Sequence, residues 1–432
     1  MQKMRKMKDS GIEWIGEIPE GWEVKRLGAI LQERNEVNNP IQTTSILSLT
    51  NNRGVIPYSE KGNQGNKAKD DLTGYKIAHI GDIVLNSMNV IIGSVGLSNY
   101  YGAVSPVYYM LFPRNNIKTN IQYYNYLFQT TAFQQSLMGY GNGILEIRMR
   151  IQMQKLKTVL LPVPTFLEQS YIAVYLDASL SKLNILLSKT RSSIEEYKKL
   201  KQAVITQAVT KGVRGEREMK DSGVDWIGEI PKEWVIQKIK SISSRINVGV
   251  VIRPSEYFDE NGTIPFLRGI NVKEYLISSD NMVYINESSN HILSKSQVHT
   301  DDILIVRDGS IGTSCVVPAE FDGANVVSMV IVTPLISCDS RFICYSLNSD
   351  VGKTQFTLTK IGSALTHTSV SAVSDIIVAV PSCAEQKEIA DHLDAKCAEI
   401  DKLIAKKEQL VKELEGYKKS LIYEVVTGKR EV

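Results

Sequence analysis

One amphipathic pattern, present twice, sets what this chain can build. From Thr165 to Gly212, and again from Ser382 to Gly428, apolar residues recur at alternating steps of four and three. That is the heptad spacing of a helix that pairs with another helix. Adding 217 to the first copy gives the second without a gap: Leu176, Leu180, Leu183, Leu187, Ile194, Tyr197, Leu200 and Val204 fall on Leu393, Cys397, Ile400, Ile404, Val411, Leu414, Tyr417 and Leu421. Thr190 and Lys407 interrupt the stripe at the same place in each. Thr165-Phe-Leu-Glu168 and Ser382-Cys-Ala-Glu385 are capping boxes, in which the hydroxyl takes an orphan backbone N–H and the glutamate reaches back to the cap. A proline precedes each box, Pro164 and Pro381, and a glycine, Gly212 or Gly428, closes each helix. At 1.5 Å per residue each helix is roughly 65 to 70 Å long, more than an ordinary core helix. The pattern predicts an antiparallel pair of spacers, paired through Leu176, Leu180, Leu183, Leu187, Ile194 and Tyr197 on one side and Leu393, Ile400, Ile404, Val411, Leu414 and Tyr417 on the other.

What the spacers hold apart is also duplicated. Met7 to Trp22 returns as Met219 to Trp234 with twelve of sixteen positions identical, and these two stretches hold all four tryptophans, Trp14, Trp22, Trp226 and Trp234. A period of this size means duplicated domains, not a solenoid. The tryptophans are candidates for partner docking, or form a clamp that fastens the start of each domain, which the pattern favours. Between strap and helix, about 25 to 160 and 237 to 378, short alternating apolar runs separated by Gly, Asn, Asp and Pro predict mixed α/β structure. Gly81-Asp82-Ile-Val-Leu has its counterpart in Asp301-Asp302-Ile-Leu-Ile. Strands are expected to end near Pro113 and Pro334, each followed by a helix, Thr119 to Met138 and Asp339 to about Thr357. The predicted fold is α+β: two pseudo-two-fold related α/β domains separated by two long antiparallel coiled-coil helices. Its divisions are 1–164, a helical spacer 165–215, 216–381 and a second spacer 382–432.

With 432 residues, 43% hydrophobic and 22% charged, the chain has the composition of an ordinary soluble protein. No apolar run spans a bilayer, and none follows Met1-Gln-Lys-Met-Arg-Lys, so a cytoplasmic location is expected. The five cysteines show no C-x-x-C spacing and all lie in the second half, which argues against a disulfide framework or a zinc site. A net charge of +3 does not by itself mark a nucleic-acid binder.

The frames repeat while the polar loops differ, and duplicated frames with different loops suit two related but unlike targets. Duplex DNA offers such targets as half-sites at fixed helical spacing. Arg pairs bidentately with guanine and Asn or Gln with adenine, so the candidate readers are the Asn- and Arg-rich loops. In the first domain these are Asn51, Asn52, Arg53, Asn63, Gln64, Lys67, Asn86 and Asn89. In the second they are Arg268, Asn271, Lys273, Arg307 and Ser310. Arg148 and Arg150 are candidates for phosphate contacts, which position without reading.

The Asp-Ser-Gly-x-x-Trp-Ile-Gly-Glu-Ile-Pro-x-x-Trp strap, the Gly-Asp-Ile-Val/Leu strand and the Val-Pro-x-x-x-Glu-Gln helix entry (Val163 to Gln169, Val380 to Gln386) occur twice in the same order. Together they resemble the specificity subunit of type I restriction–modification systems over nearly the whole chain. The resemblance implies two recognition domains reading a bipartite asymmetric site in double-stranded DNA. It also implies helices that dock two methyltransferase (modification) subunits and, through them, restriction subunits. There is no Asp/Asn-Pro-Pro-Tyr/Phe motif, no P-loop and no spaced metal ligands. The chain is therefore expected to be non-catalytic, with no cofactor of its own and with AdoMet, ATP and Mg on partner subunits. The competing reading is a coiled-coil adaptor joining two protein partners without reading DNA.

Overall fold

The computed structural model describes residues 5–51, 53–62, 67–142, 150–358 and 367–432. The chain divides into two compact units, Met1–Arg191 with Gln409–Val432 (unit 1) and Ser192–Glu408 (unit 2). Each unit holds one α/β segment and parts of both long helices.

The two units are built alike. Each has a four-stranded antiparallel sheet, ordered Leu31–Arg34, Tyr108–Pro113, Ile83–Asn86, Val95–Leu97 in unit 1 and Ser243–Val248, Met329–Pro334, Ile303–Val306, Ser314–Val316 in unit 2. Ile83–Leu85 and Ile303–Ile305 are continuous aliphatic runs with no exposed surface, as central strands covered on both faces require. The repeated aspartate anchors each sheet. Asp82 and Asp302 are each 1% exposed, and each accepts from an arginine on the edge strand: Arg34 Nε to Asp82 at 2.9 Å, Arg245 Nη2 to Asp302 at 2.8 Å. The residue before each turns with positive φ, Gly81 at 87° and Asp301 at 69°.

A second pairing ties the entry of each domain to its exit. Glu23–Arg26 runs antiparallel to Leu160–Val163, and Val235–Lys238 to Ile377–Val380, just before the long helices begin. Those helices span Phe166–Lys211 and Cys383–Val426, within a residue or two of the sequence expectation. Within each unit they run antiparallel. In unit 1 Leu176 and Leu180 share a core with Leu421, Ile422 and Val425, Lys418 donates to Asn184 at 2.8 Å, and Arg191 pairs with Glu415. In unit 2 Arg214 pairs with Glu388 at 2.6 Å and Lys201 with Asp401 at 2.7 Å. Leu187, Ile194, Leu393, Cys397 and Ile400 are buried as expected, and Leu183, Tyr197, Ile404, Val411 and Leu414 are half-buried.

Three expectations are corrected. Tyr417, assigned to the seam, is 47% exposed, and its counterpart Leu200 is 49% exposed. The next residues, Lys201 and Lys418, make the cross-helix contacts instead. Leu200 and Tyr417 stand three residues after Tyr197 and Leu414, where the alternation of four and three calls for four, so the seam positions there belong to Lys201 and Lys418. The helix expected from Thr119 to Met138 is broken into Ile121–Gln129 and Thr131–Ser136, and its counterpart into Ser340–Asn348 and Asp350–Leu358. Thr130 and Ser349 cause the breaks. Their backbones are extended and their hydroxyls accept from Phe133 N and Gly352 N, restarting the helix. Finally, the first capping box is complete, with Thr165 N donating to Glu168 at 3.1 Å and Glu168 N to Thr165 Oγ1 at 3.3 Å, whereas the second is one-armed. Glu385 N donates to Ser382 Oγ at 3.4 Å, but the Glu385 carboxylate, 3% exposed, turns to Arg217 at 2.7 Å.

The straps close each unit. Trp22 and Trp234 are 1% and 0% exposed, among the largest fully buried side chains, so they cannot present a ring to a partner and the docking assignment fails for both. They act as the clamp. Trp14 is half-buried against Phe133, with ring centroids 5.8 Å apart, and Trp226 is 39% exposed.

Candidate nucleic-acid interface

Strand order brings the candidate loops to one end of each sheet. In unit 1 the loop leaving Ile83–Asn86 is the node. Ser94 Oγ donates to Asn51 Oδ1 at 2.6 Å, which holds the turn of the Leu47–Thr50/Gly54–Pro57 hairpin against it. Gly54, with φ 64°, lies so close that a Cβ on Gly96 would be 2.9 Å from its Cα. On the other side Ile151 N donates to Ser87 O at 2.9 Å, and Tyr109 Oη to Ile151 O at 3.1 Å. Arg150, exposed, is thereby carried to the same loop.

Asn51, Asn86, Asn89 and Arg150 thus come together. Asn86 is half-buried, its Oδ1 accepting from Met88 N at 3.0 Å, and Asn89 is half-buried at the start of a short turn of 3-10 helix. Arg53, 56% exposed, pairs with Glu60 on the hairpin's far side, and Lys67 is exposed beyond it. Asn52, Asn63, Gln64 and Arg148 lie outside the described residues.

Unit 2 repeats the arrangement with different side chains. Arg307 opens the loop after Ile303–Val306 and is half-buried, its Nε donating to Thr368 O at 3.0 Å while Thr368 N returns to Arg307 O at 3.1 Å. His367, bridged to Asp308, therefore stands where Arg150 stands in unit 1. The offset of 217 that aligns the long helices also aligns these two, a signal the loop chemistry alone did not reveal. Ser310 is exposed on the same loop. Arg268 lies beside it, because Gly269 packs under Val306, where a Cβ would meet Cγ1 at 3.4 Å. The Arg268 guanidinium donates to Asn281 O.

Asn271 is not a reader. It is fully buried, accepting from Arg268 N at 3.1 Å and donating to Ser278 O at 3.1 Å and Asp280 O at 2.9 Å, so its amide is consumed in shaping the loop. Lys273 is exposed at the hairpin Val272–Lys273/Leu276–Ile277. That hairpin is pinned by Tyr275 (φ 70°), whose ring lies 4.8 Å from that of Tyr345 and whose phenol burial pushes well above its ordinary pKa. Such a phenol stays neutral and serves packing. The chemistry available at both sheet ends is polar recognition: amides, guanidinium edges, hydroxyls and lysines on a rigid frame.

Two type I restriction enzyme specificity subunits of Methanocaldococcus jannaschii, MjaX and MjaVIII, are 27% and 24% identical to this chain, over 96% and 95% of it and 95% and 93% of their own lengths. A solved chain from work on complex assembly and conformational transition of the type I R-M system superposes with a TM-score of 0.75. That match covers 96% of this chain and 99% of that one at 14% identity, and shows a shared fold. The sequence pattern described as the type I restriction modification DNA specificity domain matches residues 19–196 and 231–413. The repeated sheet and long helix fall within these two spans, so the family's domain is present twice, and the chain belongs to the type I restriction modification DNA specificity family.

Proposed function

We propose that this chain is the DNA sequence-specificity subunit of a type I restriction–modification complex, reading a bipartite site whose two halves differ. One observation carries the reading: equivalent sheet ends present Asn51, Asn86, Asn89 and Arg150 in unit 1 but Arg268, Arg307, Ser310 and His367 in unit 2. A shared frame with unlike amide and guanidinium sets suits two unlike base sequences. The chain itself is a non-catalytic, cytoplasmic scaffold. Methyltransferase subunits dock on the long helices and bring AdoMet, and restriction subunits join through them with ATP and Mg. Ile185, Leu186, Leu403 and Leu410, between 36% and 55% exposed, lie on those helices outside the seam and offer apolar docking surface. Among the described residues no helix is long and apolar enough to cross a membrane.

The test is methylation mapping of host DNA with and without this gene, by single-molecule sequencing, in cells expressing an active partner methyltransferase. Loss of a bipartite motif with unlike halves supports the reading, and exchanging residues 25 to 160 then changes only one half. Unaltered methylation leaves the chain as a protein adaptor.

A further inference from the structure

We infer that Ile252, at the same sheet end as Val251 and Ile270, reads a thymine through its 5-methyl group in the half-site of unit 2. The inference rests on the DNA-reading function proposed above and adds a contact outside its amide and guanidinium set.

Position comes first. Val250 N donates to Val326 O at 2.8 Å, and Val250 bridges Val327 in parallel, while Val327 N donates to Leu267 O at 2.8 Å and Leu267 pairs with Val326 in parallel. The segments after Val250 and after Leu267 therefore leave in one direction, on either side of residues 326–327. They emerge where Val306 pairs with Met329, the sheet end that carries Arg307 and Ser310. Ser328 Oγ donates to Asp308 at 3.3 Å and closes the gap between the two segments' exit and the Arg307 loop.

Chemistry comes second. At this polar end Val251, Ile252 and Ile270 are 53%, 80% and 56% exposed. Arg253 adopts φ 45°, Pro254 opens the 3-10 turn Pro254–Tyr257, and Arg253 Nη1 pairs with Glu256 at 3.2 Å. A non-glycine residue in that backbone region costs energy and persists where surrounding structure demands it. Among the groups that bases display in the major groove, the thymine methyl is the apolar one, and aliphatic side chains recognise it.

The experiment uses the complex of this chain with its methyltransferase partner and duplexes carrying the mapped motif. Unit 2's half is the one left unchanged by exchange of residues 25 to 160. Each thymine in it is replaced in turn by deoxyuridine, which deletes only the methyl. At one position affinity falls about fourfold, the effect of one methyl group leaving an apolar contact. In the Ile252→Ser complex thymine and deoxyuridine bind alike, because the contact is already gone. At 80% exposure Ile252 contributes little to folding, so the variant assembles. The inference is overturned by a half-site without an A·T pair, by deoxyuridine being neutral throughout, or by a methyl effect that survives Ile252→Ser. It is equally overturned if Ile252→Ser releases the partner subunit while leaving DNA discrimination intact. Host methylation that is unchanged without the gene removes the parent reading instead.

Discussion

Lys418 donates to Asn184 at 2.8 Å on the helix pair of unit 1, and the residues at an offset of 217, Lys201 and Asp401, make the same contact on the helix pair of unit 2. One contact is an ion pair and the other is not. Burial disfavours the charged form of Lys418, and neighbouring Glu415 only partly offsets it, so its pKa lies below the ordinary lysine value. A depressed lysine binds its proton less tightly folded than unfolded, and its cost is relieved as pH rises through the folded value.

Asn184→Asp should therefore strengthen unit 1, and Asp401→Asn should weaken unit 2, each by about 0.3–1 kcal/mol for partly exposed pairs. Urea unfolding at low and high salt checks both. The Asn184→Asp gain shrinks as salt rises, and a loss in place of a gain would show that the amide's geometry matters more than charge.

The tryptophan clamp has a sharper consequence. Arg5 lies over Trp22 at 5.6 Å and Arg217 over Trp234 at 5.3 Å, with Glu168 and Glu385 completing the two clusters at the helix starts. Trp22 Nε1 donates to Glu168 at 3.2 Å, while Trp234 Nε1 has no acceptor among the described residues. Trp22→Ala or Trp234→Ala should cost about 3–5 kcal/mol, and Trp226→Ala under about 1 kcal/mol. Thermal unfolding of the three variants ranks them. Equal, small effects would return the strap to a docking role.

Two glycines, one inside the last helix and one just beyond its end, are predicted to respond oppositely to alanine. Gly416 is inside the helix with open space where a Cβ would stand, so Gly416→Ala should stabilise by about 0.5–1 kcal/mol. Gly428 has φ 74°, and its Cβ would meet the Pro19 ring at 2.5 Å and Trp22 at 3.0 Å. Gly428→Ala should destabilise by more than about 1 kcal/mol, since the proline ring cannot swing aside. Melting temperatures of the two variants are the readout.

The Glu168 carboxylate titrates below its ordinary value. Burial raises it, but hydrogen bonds from Thr165, Trp22 and Arg5 together outweigh that. A carboxylate depressed in the folded state stabilises above its unfolded value near 4.5, and the contribution is lost as pH falls through the folded value. Glu168→Gln should therefore lower stability at pH 7 and bring wild type and variant together in acid. Denaturation curves from pH 7 to pH 3 test the convergence.

How far the sequence reaches can be judged from particular residues. Thr165, Glu168, Gly212, Ser382 and Gly428 bounded both long helices correctly, because period, cap and stop are local properties of a few turns. The repeat at Asp82 and Asp302 located the central strands for the same reason. The readers were less legible. Asn271 and Arg307 look alike as loop residues, yet one amide is spent on Ser278 and Asp280 while the other residue sits at the sheet end beside His367.

By itself, then, the sequence determined a duplicated chain with two equal capped helices and two α/β frames, since each signal is written within a dozen neighbouring residues. Only the tertiary structure decided that Glu385 abandons its own cap for Arg217, and that Gly269 packs under Val306 and so carries Arg268 to the Arg307 loop. Those outcomes depend on partners tens to hundreds of residues away, and hydrogen bonding and burial choose among them only once the sheet has brought the distant segments together.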